Sequence, residues 1–211
     1  MPPNLLFLFA DEMRGSAMGC AGNPDVRTPA LDRLAAEGVR FTHALANNAV
    51  CTPGRGSLLT GCWPHTHRAV ANDLPVDPEA PAIARALDAA GYRCGYIGKW
   101  HLGGTPRDRF IPPGPERLGF DDFWAAWNCH HQYLRPKYHV NDDPTPVLLE
   151  GVYEPVVQTD LAMDWIGRCP AGETAPWALY VSYGPPHEPY RPLPPGYEGR
   201  YDPRTLHLPP T

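Results

Sequence analysis

Near the start of the chain, Asn4-Leu5-Leu6-Phe7-Leu8-Phe9-Ala10 runs without a charge and then meets Asp11-Glu12. A continuous apolar run of this length reads as a buried parallel strand, because both of its faces are apolar. An acidic pair at its carboxyl end lies where open α/β sheets gather their ligands. Further along, Thr28-Pro29 marks a helix start, with Thr as N-cap and Pro at the first helical position. Leu31, Leu34 and Ala35 share its face, and Gly38 stops it. Ala82 to Ala90 predicts a second helix, ended by Gly91. Tyr92 to Ile97 predicts a strand running into Gly98-Lys99-Trp100-His101. Residues 104–150 are rich in Pro, Gly and aromatics and are expected to form long loops. Val156 to Ile166 predicts a helix. Trp177 to Tyr183 predicts a last strand, leading into Gly184-Pro185-Pro186-His187. This β-α-β-α-β order predicts an α/β fold, a mainly parallel sheet sandwiched between helices. Its strand ends bring Asp11-Glu12, Lys99 with His101, and His187 to one crevice.

Composition narrows the function classes. The chain has 211 residues, 43% hydrophobic, with a formal net charge of -5. That supports a packed core and argues against nucleic-acid binding. The Leu5–Ala10 run is too short to span a bilayer, so no membrane association is expected. No basic segment precedes it, and the expected location is cytoplasmic. Prolines number 28 and are scattered, which suits long ordered loops over a scaffold. Only Lys99 and Lys137 are lysines among 18 basic residues, which singles out Lys99.

The six cysteines occur singly, so zinc-ribbon and C-x-x-C redox motifs are absent. Cys51-Thr52-Pro53-Gly54-Arg55-Gly56-Ser57-Leu58-Leu59 places a cysteine and an arginine around a Pro-Gly turn ahead of a short apolar helix. Cys51 would sit at a helix N-terminus, which favours anions, and Arg55 offers a fork of donors to sulfate or phosphate oxygens. A thiolate-phosphatase loop needs five residues between Cys and Arg, and here there are three. The same spacing also fits a buried cysteine and a surface arginine.

Cys51-x-Pro53-x-Arg55 resembles the sulfatase signature, whose cysteine is oxidised to formylglycine. The resemblance extends to Asn4 through Asp11, Asn23-Pro24, Thr28 to Ala35, Gly56 to Gly61, Gly95 to Gly103 and Ser182 to Tyr190, all in family order. It implies the alkaline-phosphatase-like fold and hydrolysis of small-molecule or carbohydrate sulfate esters at a divalent cation. Calcium is the expected ion, with magnesium or manganese as alternatives. By resemblance, Asp11, Glu12 and the modified Cys51 are metal ligands. The hydrated formylglycine (3-oxoalanine) at Cys51 is the nucleophile, and Arg55 holds it. Lys99 and His101 bind sulfate oxygens, and His187 lies on the leaving-group side. A formylglycine-generating enzyme is the implied partner. Glu12 stands where many relatives have Asp or Gln, and Gly54 where serine is common. Nothing after His187 resembles the family's later acidic metal ligands, so residues 1–211 are expected to be the N-terminal portion of a sulfatase catalytic domain, apparently truncated. A phosphonate or phosphodiester hydrolase of the same superfamily and a non-catalytic fragment are the alternatives.

Other polar candidates are expected to be structural. His65-x-His67 is assigned to a loop. Cys129-His130-His131 lacks a second Cys/His pair and is structural or substrate-facing. Trp124, Trp127 and Tyr133 are assigned to packing.

Overall fold

The computed structural model describes residues 2–169 and 175–207. The last four residues of the Arg191–Thr211 tail lie outside that range, as do both ends of the 1–211 assignment. Six strands form one sheet: β1 (Leu5–Ala10), β2 (Arg93–Lys99), β3 (Phe123–Trp127), β4 (Lys137–Val140), β5 (Val147–Leu148) and β6 (Trp177–Tyr183), in the order β1-β6-β2-β3-β4-β5. β1, β6, β2 and β3 run parallel, and β4 and β5 add antiparallel pairs. Among the described residues, five α-helices accompany them: α1 (Pro29–Glu37), α2 (Cys51–Thr60), α3 (Pro64–His67), α4 (Ile83–Ala89) and α5 (Glu154–Gly167).

Strand alternation divides the core into two layers. Cys94 and Tyr96 of β2, Trp124 and Ala126 of β3, and Ala178 and Tyr180 of β6 pack on the face that receives Ala84 and Leu87 of α4. Ile97, Ala125, Leu179 and Val181 face the other way, against Leu161, Ala162 and Trp165 of α5. A sheet covered on both faces by helices is what the continuous apolar strands demand. Trp100 anchors the first layer, with its ring edge-on to Tyr96 and Trp124 at 5.0 Å from each.

Four expectations are corrected. Residues 104–150 are not long loops alone, because they contain β3, β4 and β5. Phe123-Trp124-Ala125-Ala126-Trp127 pairs in register with β2 from Gly95↔Phe123 to Lys99↔Trp127. Its aromatic content looks like loop packing only when the neighbouring strand is not in view. β1 is parallel to β6 as expected but is not buried: Leu6 and Leu8 are 49% and 54% exposed. Among the described residues it has one strand neighbour, β6, which leaves its outer edge unpaired and much of both faces exposed. Thr28 occupies the N-cap position of α1 as expected, but its side chain accepts from no backbone N–H of that helix. Its hydroxyl instead accepts from the Gly19 amide at 2.8 Å and donates to Asp32 at 3.0 Å. His67 belongs to the one-turn helix α3, fully buried, with its ring 3.2 Å from Ser57 Oγ. Among the described residues, no helix is long and apolar enough to cross a membrane.

Candidate active site

The carboxyl ends of β1, β2 and β6 converge beside the first turn of α2. Asp11 follows β1 directly, Lys99 closes β2, His187 lies four residues past β6, and Cys51 begins α2. Gly98 shapes the approach. Its φ is +102°, and a Cβ there would stand 2.1 Å from the Ser182 carbonyl, so only glycine lets β2 run this close to β6.

Asp11 is the hub. Lys99 Nζ donates to its Oδ2 at 2.6 Å, and Arg55 Nη2 lies 3.2 Å from its Oδ1. Cys51 Sγ is 4.0 Å from Asp11 Oδ2 and 3.9 Å from Lys99 Nζ. Arg55 is buried, so the reading of it as a surface arginine fails. Its Nη1 donates to the Lys99 carbonyl at 2.9 Å and to Ser182 Oγ at 2.6 Å, and its guanidinium lies over the Phe9 ring. Arg55 Nε and Nη2 are buried yet find no hydrogen-bond acceptor of good geometry. Those two donors lie in the cluster that surrounds Cys51 and suit an oxygen-bearing group there.

The charges shift one another. Burial alone would raise the Asp11 carboxyl, but Arg55 and Lys99 hold it below the usual carboxylate range. Burial pushes the Cys51 thiol up despite Lys99 and Arg55. A protonated thiol is a poor nucleophile and a poor metal ligand. The unmodified side chain therefore does not suit thiolate catalysis.

Two histidines complete the near wall. Lys99 Nζ donates to His131 Nε2 at 3.3 Å, and the His131 ring stacks on His187 at 4.2 Å and 9°. His187 Nδ1 donates to the Glu188 carbonyl at 2.7 Å, and its Nε2 lies 3.2 Å from Glu12 Oε1. One ligand atom each from Asp11, Cys51 and His187 falls within 4.8 Å of the others. With Glu12 alongside, the donors are two carboxylates, an imidazole and a soft thiol. The carboxylates suit a hard cation, and the thiol does so only once an oxygen replaces its sulfur.

His101 sits on the opposite flank of Lys99, buried, with its ring 3.3 Å from Asp73. Asp11, Cys51, Arg55, Lys99 and His187 are thus at least half-buried around one crevice, Glu12 borders it through His187, and His101 is buried beside α2, its carbonyl bonded to Thr52. The sequence reading missed Asp73 and Ser182 and did not separate His131 from His130. His130 turns into the interior, 3.6 Å from Glu154 Oε1, while His131 enters the crevice. Asp73 carries no motif. Trp124, Trp127 and Tyr133 are core residues, as expected.

A family model described as Sulfatase matches residues 3–207. The chain belongs to the sulfatase family. It is 40% identical to an ulvan-active sulfatase of Formosa agariphila over 208 residues, which is 99% of this chain and 40% of that protein. It is 39% identical to human arylsulfatase A over 62% of this chain and 26% of the human protein. A solved Bacteroides fragilis protein assigned to the sulfatases superposes with a TM-score of 0.81 at 32% identity, over 88% of this chain and 44% of that one. The fold is the alkaline-phosphatase-like fold of the sulfatases. This sulfatase chain spans about 40% of the length of the first of these relatives.

Proposed function

We propose that this sulfatase chain contributes the nucleophile side of a site that hydrolyses sulfate monoesters, with Cys51 converted to formylglycine. The observation that carries the proposal is the packing of Asp11, Arg55 and Lys99 around Cys51 at the head of α2. Sulfated carbohydrates are the substrate class we favour. The Formosa agariphila relative is named as ulvan-active, and another relative of this fold, 28% identical with a TM-score of 0.75 over 90% of this chain and 36% of that one, was solved with its substrate D-glucosamine-2-N,6-O-disulfate.

The hydrated aldehyde at position 51 supplies a hydroxyl that attacks sulfur as the S–O bond to the alcohol breaks. Arg55, paired with Asp11, holds the diol through its buried guanidinium. Lys99 faces the negative charge spread over the sulfuryl oxygens, where a preorganised donor stabilises the transition state, and His101 helps to position the nucleophile. His187 hands a proton to the departing alcohol; the second hydroxyl of the diol then expels hydrogen sulfate as the aldehyde re-forms, and water rehydrates it, so that ester and water yield alcohol and sulfate. Asp11, Glu12 and the position-51 oxygen would hold a divalent cation, with calcium the best match to an oxygen-rich set. When bound, that cation polarises the ester and lowers the pKa of the attacking hydroxyl.

Coexpression with a formylglycine-generating enzyme, then peptide mass spectrometry and an aldehyde-reactive probe, tests the modification. An intact thiol at Cys51 under those conditions counts against the proposal. The same charges suit a phosphonate or phosphodiester, and a phosphonate monoester hydrolase of Agrobacterium radiobacter shares the fold with a TM-score of 0.70 over 98% of this chain and 45% of that one. Parallel assays on aryl sulfate and aryl phosphodiester separate the two chemistries. Turnover of neither would favour a non-catalytic role.

A further inference from the structure

Behind the crevice, the Asn72-Asp73 turn touches both α2 and the His101 loop. The amide of Thr52, the second residue of α2, donates to Asn72 Oδ1 at 2.9 Å. The Thr52 hydroxyl donates to the His101 carbonyl at 2.9 Å. His101 Nε2 lies 3.3 Å from Asp73 Oδ1, and Arg107 grips the same carboxylate with two bonds of 2.7 Å. The turn is tied to the His101 loop downstream too, where the Val76 amide donates to the Leu102 carbonyl at 2.9 Å. Asp73 and His101 both sit in the left-handed region, at φ 66° and 55°. Two facing residues outside glycine's usual monopoly there signal a local geometry enforced by its surroundings.

The chemistry of the pair fixes a proton. Arg107 holds Asp73 well below the usual carboxylate range, at about 2, so its carboxylate only accepts. The proton must therefore be on His101 Nε2. Burial drives the His101 imidazole down to about 4, so the ring is neutral at neutral pH. That leaves Nδ1 as a lone pair, and it is buried with no partner. An unsatisfied acceptor of this kind is costly unless a donor arrives.

We propose that Asp73, locked by Arg107, is a positioning residue that holds His101 as the Nε2–H tautomer and leaves Nδ1 as a buried acceptor, while Asn72 ties the same turn to α2. This rests on the sulfatase reading above. Asp73 itself touches no substrate. It acts through His101, as outer carboxylates do on the histidines they orient.

The test uses protein coexpressed with a formylglycine-generating enzyme, as wild type, Asp73→Asn and Arg107→Gln. Asparagine tolerates the left-handed backbone but can donate to Nε2 and so reverse the tautomer. Arg107 is half-exposed, and its replacement leaves Asp73 in place and carries little folding risk. Two readouts are taken: the ring ¹⁵N spectrum of His101, and aryl-sulfate kinetics normalised to aldehyde content. The expected result is an Nε2–H His101 in wild type that is lost in Asp73→Asn. With it, kcat should fall about 10- to 100-fold while KM stays within about twofold, and Arg107→Gln should be intermediate. An unchanged His101 spectrum in Asp73→Asn, or a kcat within about twofold of wild type per aldehyde, overturns the proposal. If wild type acquires no aldehyde at position 51, the sulfatase reading fails, and the His101 spectrum still decides whether Asp73 sets the tautomer.

Discussion

Lys99 and Asp11 form a buried ion pair of 2.6 Å that spans two strands separated by β6. Both side chains are less than a tenth exposed. The pair therefore stitches the carboxyl ends of β1 and β2 together over the end of β6, at the point where the nucleophile's helix begins.

Removing one partner of such a pair strands a buried charge. Lys99→Ala should cost on the order of 3–5 kcal/mol of stability, although Arg55 still faces Asp11. Urea denaturation measures this. Sulfatase turnover should fall by at least about 100-fold. Lys99→Arg should not restore it, because the wide guanidinium does not replace a compact ammonium. Stability equal to wild type in Lys99→Ala would show that Arg55 alone satisfies Asp11.

Unconverted Cys51 should be slow to alkylate at pH 7 and speed up steeply in alkali, since burial pushes its thiol up. Cys94, pushed up to about 12 and fully buried, should react more slowly still. Iodoacetamide labelling followed peptide by peptide across pH gives both rates. Rapid labelling of Cys51 at neutral pH would mean that Lys99 and Arg55 outweigh burial.

Glu154 is buried at the start of α5, and desolvation raises its carboxyl from 4.5 to about 8. The unfolded chain has lost that proton by pH 6.5, while the folded chain keeps it until about 8. From Glu154, stability should therefore fall as pH rises, by about 1.4 kcal/mol per pH unit up to about pH 8, and then level off. His101, His130 and His131, held near 4 by burial in the fold, titrate near 6.5 when unfolded and add an opposing slope there, so the Glu154 effect is read above about pH 7.5 and as the difference from its variant. Glu154→Gln should flatten the slope in denaturation curves taken from about pH 7.5 to 9. A slope that persists in the variant would assign it to another group.

The exposed apolar edge of β1 should make the isolated chain self-associate. Leu6 and Leu8 stand about half exposed on a strand with one neighbour, an arrangement that templates edge pairing. Leu8→Lys should raise solubility and shift light scattering towards monomer while leaving the melting temperature nearly unchanged. Equal scattering from both proteins would place the sticky surface elsewhere.

The local code was legible wherever one element decided the outcome. The apolar run before Asp11, the Pro29 start and Gly38 stop of α1, and the Cys51-Pro53-Arg55 turn opening α2 all rest on neighbours within a few residues. These carry the fold class and most of the crevice, because a parallel sheet collects whatever lies at its strand ends. What stayed hidden depends on partners far along the chain. The sequence of β3 reads as loop until β2 lies beside it. β1 reads as buried until its single strand neighbour is known. Asp73 sits in an unremarkable turn, 28 residues from the His101 it faces. His130 and His131 are adjacent in sequence, yet one points to Glu154 and the other to Lys99. Residue types and short spacings therefore determined which groups could do the chemistry. Tertiary packing alone decided their protonation, orientation and company, because desolvation and ion pairing depend on what surrounds a side chain in space.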